Sequence, residues 1–491
     1  MLVKMNNKVL KKMIEVRPIY CVTKNQFSLS NENSQNGKTS QDSGDIFKYY
    51  NEASPDFSAK YRPLEDKDYQ KYFSSRSLTR EPALTRLITS LAYKVGKKML
   101  SLAEGMPNEN IFPFTKLRLE TRSGNTLTME GKELAAALQY LPSQGLPALL
   151  DTLQNFQQCL HRPPPHSRGV IVTNGSQHGI YQCIELLMEP GDSIITSEFA
   201  YPGVFIALKP YNPEIIGIPE DSDGIDPNIL ETVLSAKLSQ GLKMPKVLYT
   251  IPTGNNPTGS ILSEERRIRI YELACQYDFL ILEDDPYMFL NYTEKAIPSF
   301  LSMDACGRVI RLDSLSKVVS AGLRAGWVTA PKPLIERFEL QIQAELLHSN
   351  TLSQAIQNKI LSDQSSLGTH LSVSQLFYRQ RRDALQRSLL RARINDLADW
   401  HVPNAGLFLW LRVRGVDDVY NMVFDTALKR GLMLVPGQAF LYDSGATSQH
   451  LRLTFSKVPM EQMDAAAGLL ADIIREEQQR TNRPRHLATE W

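Results

Sequence analysis

Little in this sequence is extreme, and each shortage closes off a class of protein. No apolar run approaches the length that spans a bilayer. Neither sign of charge prevails: 55 lysines and arginines stand against 53 aspartates and glutamates, a net charge of +2. The bulk balance therefore gives no footprint for nucleic acid or a membrane surface. Cysteines are few, and Cys21, Cys159, Cys183, Cys275 and Cys306 are scattered, odd in number and never paired as CxxC. That pattern argues against a disulfide framework or a zinc site and for a reducing compartment, with each cysteine expected to be a small buried hydrophobe. What remains is 491 residues with 42% hydrophobic and 22% charged side chains, enough for two globular domains plus extensions.

The organisation changes along the chain. Residues 1 to 24 carry Lys4, Lys8, Lys11, Lys12, Arg17 and Lys24 against one acid, Glu15. Leu2, Met5, Val9, Met13 and Val16 recur there at helical spacing beside a basic stripe. The segment resembles a mitochondrial presequence, although arginine and serine are sparse; an unstructured basic leader is the alternative. Residues 25 to 45 have no apolar period and read as a linker. From about 168 the chain alternates. "GVIVTNG", "DSIITSE", "PKVLYTIP", "FLILEDD", "RVIRLDS" and "AGWVTAP" are expected strands, and "SQHGIYQCIELLM" and "SEERRIRIYELACQYD" expected helices. The pattern predicts an α/β fold with a mostly parallel sheet flanked by helices. Helical runs at 333 to 345 and 373 to 395 lead to expected strands over 400–413, 431–437 and 450–457 and a helix over 459–480, a smaller α+β domain.

Ligands of an open α/β sheet bind outside the carboxyl ends of its strands, and the unusual residues collect there. Ser176 and Gln177 open a helix after "GVIVTNG"; a helix N-terminus suits a phosphate, while the plain alternative makes Ser176 an N-cap. "FLILEDDPY" ends in Glu283, Asp284, Asp285 and Tyr287. An acid at the end of a buried strand needs a partner, such as a protonated ring nitrogen. A helix cap or a metal site is the alternative, the second short of a nearby histidine. In "IPTGNNPTG", Asn256 precedes Pro257 and suits an unusual geometry such as a cis bond; a plain surface loop is the alternative. Ser314, Ser316 and Arg324 can surround a phosphate, and Lys317 among them is the natural nucleophile, since burial beside another cation favours neutral lysine.

Together, "SLAEGMPNENIFPF", "LQYLPSQGLPALL", "NGSQHG", "EFAYPG", "IPTGNNPTG", "LEDDPYMFL", "DSLSK", "GLRAGW" and "HLRLTFS" resemble the class I, fold-type I pyridoxal-phosphate (PLP) aminotransferases, nearest the kynurenine/2-aminoadipate enzymes. The likeness runs over roughly residues 80 to 478. It implies a division into 1–60 (leader and linker), 61–130 (N-terminal arm and part of the small domain), 131–350 (large PLP-binding domain), 351–478 (small domain) and 479–491 (tail). By the same resemblance Lys317 bonds the PLP aldehyde and Asp284 pairs with the pyridine nitrogen. Tyr287 and Asn256 bond the phenolic oxygen, and Tyr201 stacks on the ring. Ser176, Gln177, Ser314, Ser316 and Arg324 hold the phosphate, with Tyr140 reaching the phosphate of a partner subunit in a homodimer. Arg452 takes the substrate α-carboxylate, and Arg86 and Gly105 belong to a segment that covers the substrate. Tyr140 and Asn256 also border the substrate.

The implied reaction moves an amino group from an aromatic amino acid, kynurenine or 2-aminoadipate to a 2-oxo acid such as 2-oxoglutarate, in the mitochondrial matrix or the cytoplasm, with no metal, nucleic acid or membrane involved. Glu104 departs from the likeness, standing where these enzymes have glycine; it would disfavour an acidic substrate side chain or face solvent. Two other readings share the scaffold. A lyase or synthase differs only in reaction. A transcription regulator would need a winged helix of about 60 to 70 residues before the domain, and residues 25 to 45 are too polar and aperiodic for one.

Overall fold

The computed structural model describes residues 57–85, 88, 102–103, 105–293 and 297–481. The leader, Arg86 and Glu104 lie outside the described residues. A seven-stranded sheet forms the centre: β1 (Arg168–Asn174), β2 (Ser193–Ser197), β3 (Glu214–Ile218), β4 (Val247–Thr250), β5 (Leu280–Asp284), β6 (Val309–Ser314) and β7 (Ala325–Pro331). Its order is β1-β7-β6-β5-β4-β2-β3. β7 alone runs antiparallel to its neighbours β1 and β6; the other pairings are parallel. β2, β4, β5, β6 and β7 are buried along their whole length, as strands covered on both faces must be.

The covering helices follow their apolar spacing. After α1 (Gly131–Leu138), α2 (Pro147–His161) starts with proline at its first turn and buries Leu149, Leu153, Phe156 and Leu160, a stripe at three- and four-residue intervals. α3 (Ser176–Leu187), α4 (Pro202–Leu208), α5 (Pro227–Ser239), α6 (Glu264–Tyr277) and α7 (Lys332–Glu345) complete this unit. On α6, Ser263 caps the first turn by accepting from the Arg266 N–H.

α8 (Thr351–Ser362) and α9 (Gln364–Arg391) lead to a second, antiparallel sheet. It comprises β8 (Ala398–Trp400), β9 (Phe408–Val413), β10 (Val435–Pro436) and β11 (His450–Thr454), in the order β8-β9-β11-β10, followed by α10 (Met463–Thr481). Several expected boundaries shift here. The strand expected over 400–413 is two strands parted by a turn containing Pro403 and Gly406, the latter with φ +74°. The strand expected over 431–437 shrinks to Val435–Pro436: Gly431 sits in a turn at φ +81°, and the chain enters a short 3-10 turn at Gly437. α9 begins at Gln364, ahead of the expected 373, since the Asp363 side chain caps it by accepting from the Ser366 N–H.

Residues 64 to 73 join the core of the large sheet through Leu64, Tyr69, Tyr72 and Phe73, and the Tyr69 hydroxyl donates to the Gly307 carbonyl at 2.7 Å. Of the cysteines, Cys183 and Cys306 are buried as expected, Cys275 is half-buried, and Cys159 is exposed, contrary to expectation; Cys21 lies outside the described residues. Cys159 sits on the polar side of α2, away from the Leu149–Leu160 stripe.

Candidate active site

Strand direction assembles the site. β1, β4, β5 and β6 are parallel, so Asn174, Thr250, Asp284 and Ser314 end them at one edge of the sheet. β7 runs the other way, so its start, just after Arg324, falls at that same edge. Of the expected residues, this brings together Ser176, Gln177, Tyr201, Asn256, Asp284, Tyr287, Ser314, Ser316, Lys317 and Arg324, and Arg452 on β11 reaches them from the small sheet.

One end of the site is built for an anion. Gly175 takes φ +77°, and Ser176 is the first residue of α3, so Ser176 is not the N-cap. Its Oγ is buried and has no hydrogen-bond partner among the described residues, and the same holds for Gln177 Oε1. Gln177 is steered by its Nε2, which donates to the Gly203 carbonyl at 3.1 Å. Arg324, at φ +51°, donates through Nη2 to the Asn174 carbonyl at 3.1 Å and through Nη1 to the Ala321 carbonyl at 3.2 Å. A Cβ on Gly175 would lie 2.9 Å from the Arg324 Cζ, so only glycine lets the guanidinium approach this helix end. The Ser314 hydroxyl donates to Ser316 Oγ at 2.9 Å and accepts from the Ser316 N–H at 3.1 Å. Free helix N–H groups, three hydroxyls and a guanidinium meet here, as a phosphate requires.

The other end is built for a protonated base. Strand alternation along β5 sends Glu283 and Asp285 to one side and Asp284 to the other. Arg311 meets the first two: its Nη1 lies 3.0 Å from Glu283 Oε1 and 3.4 Å from Asp285 Oδ2, and its Nη2 lies 2.8 Å from Asp313 Oδ1. Among the described residues Asp284 is left with one donor, the Tyr249 hydroxyl, at 2.9 Å from Oδ2; its Oδ1 is buried and open. Burial pushes the Asp284 carboxyl up to about 7, against the Tyr249 hydrogen bond and with Asp285 adding to the rise. A cationic N–H donor at Oδ1 would satisfy the open oxygen and bring the carboxylate back to its charged form. Among the described residues no group of three or more histidine, cysteine or acidic side chains could hold a metal ion.

Between these ends stands Lys317, half-buried, with Nζ 5.8 Å from the centre of the Tyr287 ring. Burial lowers its pKa, Asp284 opposes that, and Arg324 and Arg452 reinforce it. The loop after β4 is buried, which rules out a plain surface loop, and its Asn256–Pro257 bond is cis. Arg452 Nη1 donates to Asn256 Oδ1 at 2.9 Å, while Arg452 Nε is buried and open. The Arg452 guanidinium lies 4.3 Å from the ring of Phe408 and 4.9 Å from that of Phe440. Tyr201 is half-buried, and burial and then Asp284 raise its pKa. Two expected residues stand apart from this convergence. Gly105 is exposed with nothing within 4 Å of an added Cβ, and the Tyr140 ring is exposed, edge-on to His348 at 5.7 Å.

Sequence reasoning missed Tyr249, Arg311, Phe408 and Phe440. Tyr249 carried a signal: it is a phenol inside an apolar strand, and a buried hydroxyl needs a partner. The ion pairs of Arg311 and the rings beside Arg452 depend on contacts distant in sequence.

Comparison with known proteins agrees with this chemistry. A family model described as aminotransferase class I and II matches residues 97–470. The mouse (Mus musculus) protein named kynurenine/alpha-aminoadipate aminotransferase, mitochondrial, is 40% identical over 423 residues, covering 83% of this chain and 99% of its own. Aromatic-amino-acid aminotransferase 1 of Thermococcus litoralis is 33% identical over 411 residues, covering 84% of this chain and 95% of its own. Among solved structures, aminotransferase Aro8 from Candida albicans matches with a TM-score of 0.75 and 28% identity, over 85% of this chain and 100% of that one. The kynurenine aminotransferase of Pyrococcus horikoshii, solved with PMP, matches with a TM-score of 0.66 and 29% identity, over 84% of this chain and 98% of that one. This chain belongs to the class I and II aminotransferases and is a PLP-dependent transaminase.

Proposed function

We propose that the enzyme moves the amino group of kynurenine, 2-aminoadipate or an aromatic amino acid to 2-oxoglutarate by a ping-pong sequence. The carrying observation is the set of open, buried polar atoms at the strand ends: Ser176 Oγ, Gln177 Oε1, Asp284 Oδ1 and Arg452 Nε. Ser176, Gln177, Ser314, Ser316 and Arg324 hold the PLP phosphate. Asp284 Oδ1 would accept from the ring nitrogen, and Tyr201 would cover the ring. Tyr287 donates to the phenolic oxygen, as does Asn256, whose Oδ1 is already taken by Arg452, which leaves its Nδ2 amide as the donor. Bound PLP supplies an electron sink for the electron pair left when the substrate Cα loses its proton.

Lys317 carries the proton. Its amine would hold the PLP aldehyde at rest; once free, it would take the Cα proton as base and deliver it as acid to the aldehyde carbon of the cofactor. Burial keeps more of this amine neutral, as a base requires. Arg452 binds the α-carboxylate as a bidentate pair, and the apolar rings of Phe408 and Phe440 strengthen that pair by excluding water. A homodimer would bring Tyr140 to the phosphate of the partner subunit, with Arg86 and Gly105 covering the substrate. The domain division given above follows the same reading.

The substrates in the names of the mouse and Thermococcus relatives support the donor list, and the mitochondrial name of the mouse relative together with the basic residues 1 to 24 supports a matrix address over a cytoplasmic one. Visible spectra of the holoenzyme with kynurenine, 2-aminoadipate and phenylalanine in turn test the proposal. Bleaching of the cofactor band by at least one donor, with restoration by 2-oxoglutarate and one glutamate formed per 2-oxo acid released, is expected. Release of product without glutamate would assign a lyase instead.

A further inference from the structure

Tyr249 is not among the residues placed at the cofactor, yet among the described residues its hydroxyl is the one hydrogen-bond donor to the acid that faces the ring. It lies mid-strand in β4, where Tyr249 pairs in register with Leu282 of β5, two residues before Asp284. The phenol is 1% exposed. Its hydroxyl donates to Asp284 Oδ2 at 2.9 Å, and no other donor to Asp284 is present among the described residues. The opposite oxygen, Oδ1, has no partner. Asp284 is thus held by one donor on one oxygen, with the other oxygen presented to the site. A carboxylate pinned this way cannot turn its free oxygen from a ring nitrogen without breaking a buried hydrogen bond.

The hydroxyl also acts on charge. Burial, with Asp284 nearby, keeps the phenol protonated by raising its pKa well above the ordinary value, so it serves only as a donor towards the carboxylate. A donor to the charged form favours that form, against the burial that opposes it. We propose that Tyr249 is a positioning residue for the cofactor ring: its hydroxyl orients Asp284 and favours the carboxylate over the acid, so that Asp284 binds a protonated ring nitrogen. The inference rests on the reading of Asp284 given above and adds the group that enforces it. The bland alternative is a core tyrosine whose hydroxyl merely finds the nearest acceptor.

The two are separated by cofactor affinity. Apoprotein is titrated with PLP and with the deaza analogue in which the ring nitrogen is replaced by C–H, following tryptophan quenching. Wild type is expected to prefer PLP. Tyr249→Phe removes one oxygen atom, and it is expected to weaken PLP about tenfold, the worth of a hydrogen bond to a charged group, while leaving the analogue unchanged. In an Asp284→Asn background the same substitution is expected to leave the preference where it was. Equal weakening of both ligands, or no change in either, would make Tyr249 structural and overturn the inference. A wild type with no preference would remove the Asp284 reading itself and the inference with it, so the two failures look different. Tyr249→Met, which also lacks the hydroxyl, repeats the measurement should the phenylalanine variant fold poorly.

Discussion

Arg452 Nη1 donates to Asn256 Oδ1 across 2.9 Å, and this bond ties the small sheet to the loop that ends β4. The guanidinium is fixed on one side by the amide and on its faces by Phe408 and Phe440, while Nε stays open. Arg452→Ala is therefore expected to weaken every α-amino acid substrate alike, since the lost contact is to their common carboxylate. The loss in kcat/KM should be about 2–5 kcal/mol, the cost of truncating a buried charged partner. Steady-state kinetics with kynurenine, 2-aminoadipate and phenylalanine check this. A loss confined to one donor would mean that Arg452 reads a side chain.

Lys317→Ala is expected to abolish the visible cofactor band and to lower turnover by about 100-fold to 10,000-fold, the range of a general acid–base group. Small primary amines added to the variant should restore part of the rate, because the missing function is an amine positioned at Cα. Unchanged turnover in the variant would remove Lys317 from the reaction.

Much of the site was legible because its residues come in short runs at strand ends, and strand ends can be read from a change of pattern. "DSLSK" and "LEDDPY" each place an apolar strand directly before polar side chains, and both fall at the carboxyl edge in the structure. The division of labour within "EDD" was not legible. Alternation separates Asp284 from its neighbours, but only Arg311, paired with Glu283, Asp285 and Asp313, reveals that the flanking acids are consumed structurally. The small sheet was least legible. A turn with Pro403 and Gly406 parts one run, and Gly431 and the helical turn from Gly437 bound β10 in another, although the apolar content of both reads as continuous strand.

Arg311 is fully buried with three carboxylates around one guanidinium. Those acids hold its pKa above the ordinary arginine value although burial alone would lower it. Arg311→Met would leave the acids without their cation. It is expected to destabilise the protein by about 3–5 kcal/mol, the cost of breaking a buried ion pair from one side. Urea unfolding of the apoprotein measures this. A change below about 1 kcal/mol would show that the acids do not depend on Arg311 for their charge.

Asp284 gives the pH dependence its sign. Burial pushes this carboxyl up to about 7 from 3.8, so the folded chain keeps a proton that the unfolded chain gives up. Between about pH 4 and 7 the unfolded state binds fewer protons, and the carboxyl makes stability fall as pH rises, by at most about 1.4 kcal/mol per unit. Below that window both states hold the proton and the effect is absent. Asp285, also buried and pushed up to about 6, acts in the same direction and remains in an Asp284 variant. Thermal unfolding of apoprotein from pH 5 to 8 should therefore show Asp284→Asn gaining on wild type as pH approaches 7. PLP should reverse the comparison, because a protonated ring nitrogen at Oδ1 stabilises the charged carboxylate that asparagine cannot supply. A difference between the two proteins that stays flat with pH would mean that Asp284 is already ionised in the folded chain across this range, held so by Tyr249 and Lys317 alone.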